Sequence, residues 1–315
     1  MLLVSPRYFL RRKFQVVLRE MIQFQAESNL QAWNCSEEWE KLLISKDKIP
    51  LNFIPLNRVR KVGFIWYVSA IALKGSQLLN QPSLDIAQEI AGKLGSMLNA
   101  SQQLELWVEQ PGWIHCRFQP GGVANWLQAI AAGLSDEDYN LFKESVENIP
   151  AYNSDFLREN TSVPFLILHS HARCCSLLAM AHREGLLTLS TGDRPTASPQ
   201  LLPPDPLPWL KSSGVLQFTQ PEEQALMDQW LTTVDDLVND LADPQAIASC
   251  EAIIKLAIAL SDRFQQFYAA TRIWGDISAT DPELALARLG LVLGTQRLLR
   301  VLLEDGLGIP APEAL

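Results

Sequence analysis

FLILHSHARCCSLLAMAHREGLL, residues 165–187, is the stretch that decides the fold, because its apolar residues continue for six turns in a helical pattern without proline. Three further segments of the same kind follow, Glu222–Leu241, Gln245–Ile273 and Asp281–Leu307. Between the first two lies Thr188–Pro208, rich in Ser, Thr and Pro and including Leu202-Pro203-Pro204-Asp205-Pro206. Prolines at that density remove amide donors and cannot continue a helix, which makes this an exposed loop or hinge. Four long helices with a broken first connection predict a helical bundle over residues 163–315.

Upstream, the pattern is different. Tyr8–Gln23 places Leu10, Phe14, Val17, Leu18 and Met21 at helical spacing, with Arg11, Arg12, Lys13 and Arg19 elsewhere, an amphipathic helix with a basic outer face. Ala26–Pro55 is less regular, and Trp33, Trp39 and Phe53 there suggest packed irregular structure or a short helix around Ser36–Leu43. Ser83 is expected to cap a helix over Leu84–Leu94. Leu104–Val108 and Trp113–Phe118 alternate as strands do, around the turn signal Gln110-Pro111-Gly112, and Val123–Ala132 reads as a helix. The expected class is α+β, predominantly α: a small N-terminal domain with a short antiparallel sheet over residues 1–132, a linker over 133–162, and the helical bundle. In the linker, Asp136, Glu137 and Asp138 open a short helix, and Ile149–Pro164 carries two prolines.

Composition bounds the function. The chain has 315 residues, 48% of them hydrophobic, enough for two real cores. Its net charge of −9 is uneven: residues 1–150 carry 15 Lys+Arg against 15 Asp+Glu, and residues 151–315 carry 11 against 20. Bulk charge therefore does not advertise nucleic-acid binding, and any RNA contact must be local. No apolar run is long enough to span a bilayer, and the basic Arg11, Arg12 and Lys13 follow rather than precede the short apolar start, unlike a signal peptide. Five cysteines in unpaired spacings fit reduced thiols, so a cytoplasmic location is expected.

Three islands in the helical half resemble a known family. They are His171-Ala172-Arg173-Cys174-Cys175-Ser176-Leu177-Leu178, then Phe264-Gln265-Gln266-Phe267-Tyr268, then the tail from Ala287-Arg288-Leu289 to Leu307-Gly308-Ile309-Pro310-Ala311-Pro312-Glu313-Ala314-Leu315. Together they are similar to the C-terminal, DALR-type anticodon-binding domain of arginyl-tRNA synthetases. Gln110-Pro111-Gly112-Trp113-Ile114-His115 and the helix near Ile86-Ala87 and Ile90 resemble that family's N-terminal additional domain, which contacts the tRNA elbow. The resemblance implies an elbow-facing surface near Lys61–Lys74. Gly63-Phe64-Ile65-Trp66-Tyr67 stands where the family tends to have Phe-Gly-Asp-Tyr, and Leu168 and His169 where it tends to have Gln and Tyr.

In that family a nucleotide-binding α/β domain of well over a hundred residues separates the two pieces. Amino-acid activation needs a phosphate cradle, a His-x-Gly-His-type turn and a mobile lysine. None of the four histidines lies in such a turn, no Lys-Met-Ser-Lys-like loop occurs, and about thirty linker residues cannot build a doubly wound sheet. No ligase activity, catalytic residue or cofactor is therefore expected.

The RNA-binding candidates are Tyr268, Arg272, Arg173, His169, Arg297, Arg60 and Lys61. Tyr268 and Arg272, with Phe267 and Trp274 nearby, could offer splayed bases an aromatic and guanidinium surface. Phe264 and Phe267 are assigned to the core. Arg288, Arg297 and Arg300 on the last helix can equally be solvated charges, and Arg60 and Lys61 can be ordinary basic surface. His171 and Cys175, four apart on one helix face, invite a metal reading, but no second ligand pair exists and packing is the expected role, with no metal. Asp235-Asp236 and Glu222-Glu223 are expected at helix starts or outer faces. No Gly-x-Ser-x-Gly elbow is present.

Two functions follow. The first is a non-catalytic, synthetase-derived protein that binds tRNA, of arginine type. The alternative is a protein-interaction or regulatory scaffold that reuses the bundle without RNA, using the acidic 222–243 face and the proline-rich loop. The expected partners are accordingly tRNA or a protein, and neither membrane nor DNA.

Overall fold

A computed structural model describes residues 5–28, 49–61, 63–79, 81–98, 103–133, 164–190, 200–201, 206–239 and 250–315. The segment around Ser36–Leu43, the Gly133–Val163 junction beyond Gly133 and most of the proline-rich loop lie outside the described residues. The described residues divide into two compact units, Ser5–Gly122 and Val123–Leu315.

The first unit is an antiparallel sheet with helices on one face. Helix α1 (Pro6–Ser28) leads to strand β1 (Leu56–Arg58) and strand β2 (Trp66–Ser69). Helices α2 (Ile71–Leu79) and α3 (Ser83–Met97) follow, and then strands β3 (Leu104–Glu109) and β4 (Trp113–Phe118). The spatial order is β1-β2-β4-β3, all neighbours antiparallel, so β4 inserts between β2 and the strand that precedes it. Alternation sends Tyr67, Ser69, Ile114, Cys116 and Phe118 to the buried face, where Ile71 and Ala72 of α2 and Ile86, Ala87, Ile90 and Leu94 of α3 are also buried. Residues Leu10, Phe14, Val17, Leu18 and Met21 of α1 are buried as well, at the expected spacing. Ser83 does not cap α3. Pro82 occupies the cap position without a side-chain bond, and the Ser83 hydroxyl instead donates to the Pro111 carbonyl in the β3–β4 turn, whose Gly112 sits at φ +148. A side chain on Gly112 would meet the Ser83 backbone, which explains the glycine in this Pro-Gly turn.

The second unit begins at Val123 within helix α4 (Pro120–Ala132) and continues with α5 (Phe165–Arg183). A two-stranded ladder, β5 (Leu189–Ser190) with β6 (Gln200–Leu201), precedes α6 (Pro221–Asn239), α7 (Cys250–Ala270), the short α8 (Asp276–Thr280) and α9 (Pro282–Val301). A π turn, Leu302–Gly306, closes the last helix. The expected boundary at residue 132 differs from the observed division: α4, expected to close the sheet domain, packs among the helices from Val123 onward. Its Trp126 meets Trp230 of α6 edge-on at 6.4 Å, and Gln128 Oε1 accepts from Trp209 Nε1 at 2.8 Å and from the Leu207 amide at 3.0 Å. Helix α4 is apolar enough to need a second helical layer, and the short sheet does not supply one.

Helix α9 is the centre of this unit. Ala285 through Leu299 are almost all buried, and a helix covered on every side must pack against several others, here α5, α6 and α7. Asp281 caps it by accepting from the Leu284 amide at 3.1 Å, with Pro282 in the first turn. Gly290 and Gly294 face the rings of Trp209 and Trp230, and a Cβ at either position would collide with the indole. The Trp230 Nε1–H donates to Thr295 Oγ1 at 3.0 Å, so the ring is pinned against the helix with its only polar group satisfied.

Candidate nucleic-acid interface

Helix α5 is two-faced. Ile167, Ser170, His171, Cys174, Leu177, Leu178 and Ala181 are buried, while Phe165, His169 and Arg173 recur every four residues on the outer face. Phe165 is 68% exposed, an unusual position for a phenyl ring, and His169 stacks on it at 5.6 Å between centroids. One turn on, the Arg173 guanidinium lies 4.8 Å over the Tyr268 ring and donates to the Tyr268 hydroxyl at 2.7 Å. Tyr268 stacks in turn on the buried Phe264 of the same helix at 6.3 Å. Beneath the pair, Gln265 Nε2 donates to Ser170 Oγ at 3.1 Å and fixes α7 against α5. The result is an outer row of two pairs one helical turn apart, phenyl with imidazole and guanidinium with phenol, held from below by a packed core.

Arg272 follows one helical turn after Tyr268, just beyond the end of α7, with an exposed side chain. Its carbonyl accepts from Arg288 Nη1 at 2.6 Å. Buried Thr271 and Ile273 flank it, and Trp274 is half-buried.

Two arginines expected to face outward do not. Arg297 is 6% exposed, and its Nη1 donates to the Ala131 carbonyl at the C-terminus of α4, where a cation satisfies an orphan carbonyl. Burial lowers its pKa to about 10. So covered, it does not lie on the outer surface where the expectation placed it. Arg288 is 5% exposed and pairs with the fully buried Glu223 at 2.6 Å, so Glu223 is not on an outer face either, and Asp235 is likewise buried. The second oxygen of Glu223 accepts from the amides of Thr219 and Gln220, both at 2.9 Å, at the start of α6.

His171 is engaged by hydrogen bonds within the fold on both ring nitrogens. Its Nδ1–H donates to the Pro312 carbonyl at 2.7 Å and its Nε2 accepts from Gln296 at 3.0 Å, which ties the C-terminal tail to α5 and α9. Desolvation lowers its pKa below the usual value, keeping the ring neutral. Among the described residues no group of three or more His, Cys, Asp or Glu could hold a metal ion. Cys116, Cys174, Cys175 and Cys250 are free thiols, and burial raises the pKa of the first three.

The first unit has its own aromatic and cationic features. Arg60 and Lys61 are exposed in the β1–β2 connection, and Lys61 Nζ sits 4.9 Å over the ring of exposed Phe64. On the sheet face opposite the helices, Trp66, Trp107, His115 and Arg117 form a row: Trp107 stacks on His115 at 4.7 Å, Trp66 lies 5.5 Å from Trp107, and Arg117 lies 5.3 Å over Trp107. Trp66 Nε1 donates to His115 Nδ1 at 3.3 Å, and Glu105 pairs with Arg117. Alternation placed Trp107 and His115 on strands, but the row itself depends on the β2–β4 pairing, which sequence does not give. Phe165 was readable, four residues before His169. Ser5–Gly122 carries 14 Lys+Arg against 10 Asp+Glu, whereas the remainder carries 12 against 25.

Residues 167–315 match the DALR anticodon binding domain. The helical unit therefore contains a DALR anticodon-binding domain. The chain is also 30% identical over 188 residues to an arginine–tRNA ligase of Synechococcus sp. (strain JA-3-3Ab), a match over 59% of this chain and 28% of that one. A second arginine–tRNA ligase, from Gloeobacter violaceus, is 28% identical over 152 residues, 48% of this chain and 22% of the ligase. The chain thus spans about a quarter of the length of these curated relatives. No solved structure matches. Within the DALR domain fall His169, Arg173, Tyr268 and Arg272, and Phe165 lies two residues before it. No helix among the described residues is long and apolar enough to cross a membrane.

Proposed function

We propose that this chain is a non-catalytic, synthetase-derived tRNA-binding protein of the cytoplasm, with arginine-type tRNA as its partner and the outer row Phe165–His169–Arg173–Tyr268 as its contact for unpaired bases. The observation that carries the reading is the Arg173–Tyr268 pair within a DALR domain. Single-stranded loops present base faces that stack on phenol, imidazole and guanidinium planes, and a paired duplex does not. Arg272 supplies a cation beside the row for a phosphate. The first unit, with its excess of cations, exposed Arg60 and Lys61 and half-exposed Trp66, Trp107 and Arg117, assists through the backbone and the elbow. Absence of ligase activity rests on the missing His-x-Gly-His-type turn and Lys-Met-Ser-Lys-like loop and on the short interval between the two resembling pieces.

Filter binding with total tRNA is expected to show affinity that falls steeply between low and physiological salt, together with no charging of tRNA by arginine and ATP. Binding no better than that of an unrelated acidic protein at low salt rejects the reading, and arginine-dependent charging rejects its non-catalytic part.

One observation favours a second reading, a protein-interaction scaffold: the helical unit holds 25 acidic against 12 basic residues, counted with Met1–Val4. Nuclease-free purification separates the two, since the first reading yields co-purifying RNA and the second a stoichiometric protein.

A further inference from the structure

The Glu223–Arg288 pair is spent on something other than stability. Glu223 is fully buried and Arg288 nearly so, and a buried ion pair of this kind contributes little net stabilisation over an apolar pair of the same volume. What it provides is geometry. Glu223 Oε1 takes Arg288 Nε at 2.6 Å while Oε2 takes the Thr219 and Gln220 amides, which locks the carboxylate to the start of α6. The planar guanidinium then has one fixed direction left for Nη1, and it points at the Arg272 carbonyl, 2.6 Å away. Thr271 is bound back to α7 through Oγ1 to the Phe267 carbonyl at 2.7 Å, and Ile273 is buried, so the backbone of Arg272 is held on both sides and its side chain is left outside. Tyr268 stands four residues earlier, in the last turn of α7.

We infer that Arg288 is a positioning residue for RNA binding: through the Arg272 carbonyl it sets the place of the Arg272 side chain beside Tyr268, with Glu223 orienting the guanidinium. This rests on the RNA-binding role proposed above. It makes Arg288 and Glu223, neither of which can touch RNA, determinants of affinity.

The test is a double-mutant cycle on the full chain with total tRNA. The Glu223→Leu/Arg288→Met variant removes both charges at similar volume but also takes the partners of the Thr219 and Gln220 amides and of the Arg272 carbonyl, so it is expected to melt lower than wild type, and affinities are compared at a temperature where circular dichroism shows every variant folded. Arg272→Ala is expected to weaken binding about fivefold in wild type, the size of one phosphate or stacking contact, and to have no further effect in the double variant, which is itself about fivefold weaker. Arg288→Lys keeps a charge opposite Glu223 without the fork, and it serves if the double variant does not fold. The same loss of coupling is expected there. Wild-type affinity in the variants, or an equal Arg272→Ala loss in both backgrounds, overturns the positioning role while leaving RNA binding intact. Absence of wild-type binding removes both.

Discussion

Gly294→Ala should destabilise the helical unit, although the same substitution in most helix interiors stabilises. An exposed helical Gly→Ala change gains about 1 kcal/mol through backbone entropy. At Gly294 the added methyl would meet the six-membered ring of Trp230. Overpacking at such a contact costs about 1–3 kcal/mol. If the ring withdraws instead, its Nε1–H leaves Thr295 Oγ1 and a buried donor is unsatisfied, at about 1–3 kcal/mol. A methyl set this far inside the ring's contact distance puts either route toward its upper range, and less the helical gain of about 1 kcal/mol the net loss is about 1–2 kcal/mol. Gly92 and Gly95 in α3 provide the control, since both are exposed and a Cβ there would meet nothing within 4 Å. Gly92→Ala and Gly95→Ala should each stabilise the sheet unit by about 0.5–1 kcal/mol. Urea unfolding followed by circular dichroism measures the change, and hydrogen exchange in α6 and α9 assigns the helical unit's transition. Trp230→Phe should recover part of the Gly294→Ala loss. A Gly294→Ala chain as stable as wild type would refute the wedge of Trp230 on α9.

Three further outcomes follow from the same geometry. Tyr268→Ala and Arg173→Ala should each weaken tRNA binding by about 1–3 kcal/mol, with unchanged melting, as read by filter binding and calorimetry. Arg297→Met should instead lower the stability of the helical unit by about 1–3 kcal/mol through the unsatisfied Ala131 carbonyl and leave tRNA affinity unaltered at every salt concentration. His171 has a depressed folded pKa, so below its ordinary pKa near 6.5 only the unfolded chain takes up the proton; stability is full above that pH and falls on acidification toward the folded value. His171→Gln should remove part of the loss of stability measured between pH 7.5 and 5.5, and an unchanged pH dependence would exclude neutral His171 as its source.

Both strands of the β3–β4 hairpin and the four long helices were legible because periodicity reports burial directly. Register and order were not: β4 between β2 and β3 depends on pairings across a two-helix crossover. Helix α4 was recognised as a helix, but the division at Val123 that separates it from the sheet residues was not, since an apolar helix does not say which layer covers it. The arginines show the same limit. Arg288 and Arg297, nine residues apart, do lie on opposite sides of α9, but both sides are covered, and a one-dimensional charge pattern presumes one open face. Arg173 and Tyr268 were each singled out from the sequence. Their pairing across 95 residues became visible only in three dimensions.

The central claim is that an outer row of rings and guanidinium on a DALR domain holds unpaired RNA bases. Its most direct test compares the affinity of the chain for an anticodon stem-loop RNA with that for the same stem as an uninterrupted duplex at equal salt. Tighter binding of the stem-loop, lost in the Arg173→Ala/Tyr268→Ala variant, is the expected result; equal affinity for loop and duplex, or a preference untouched by that variant, contradicts it.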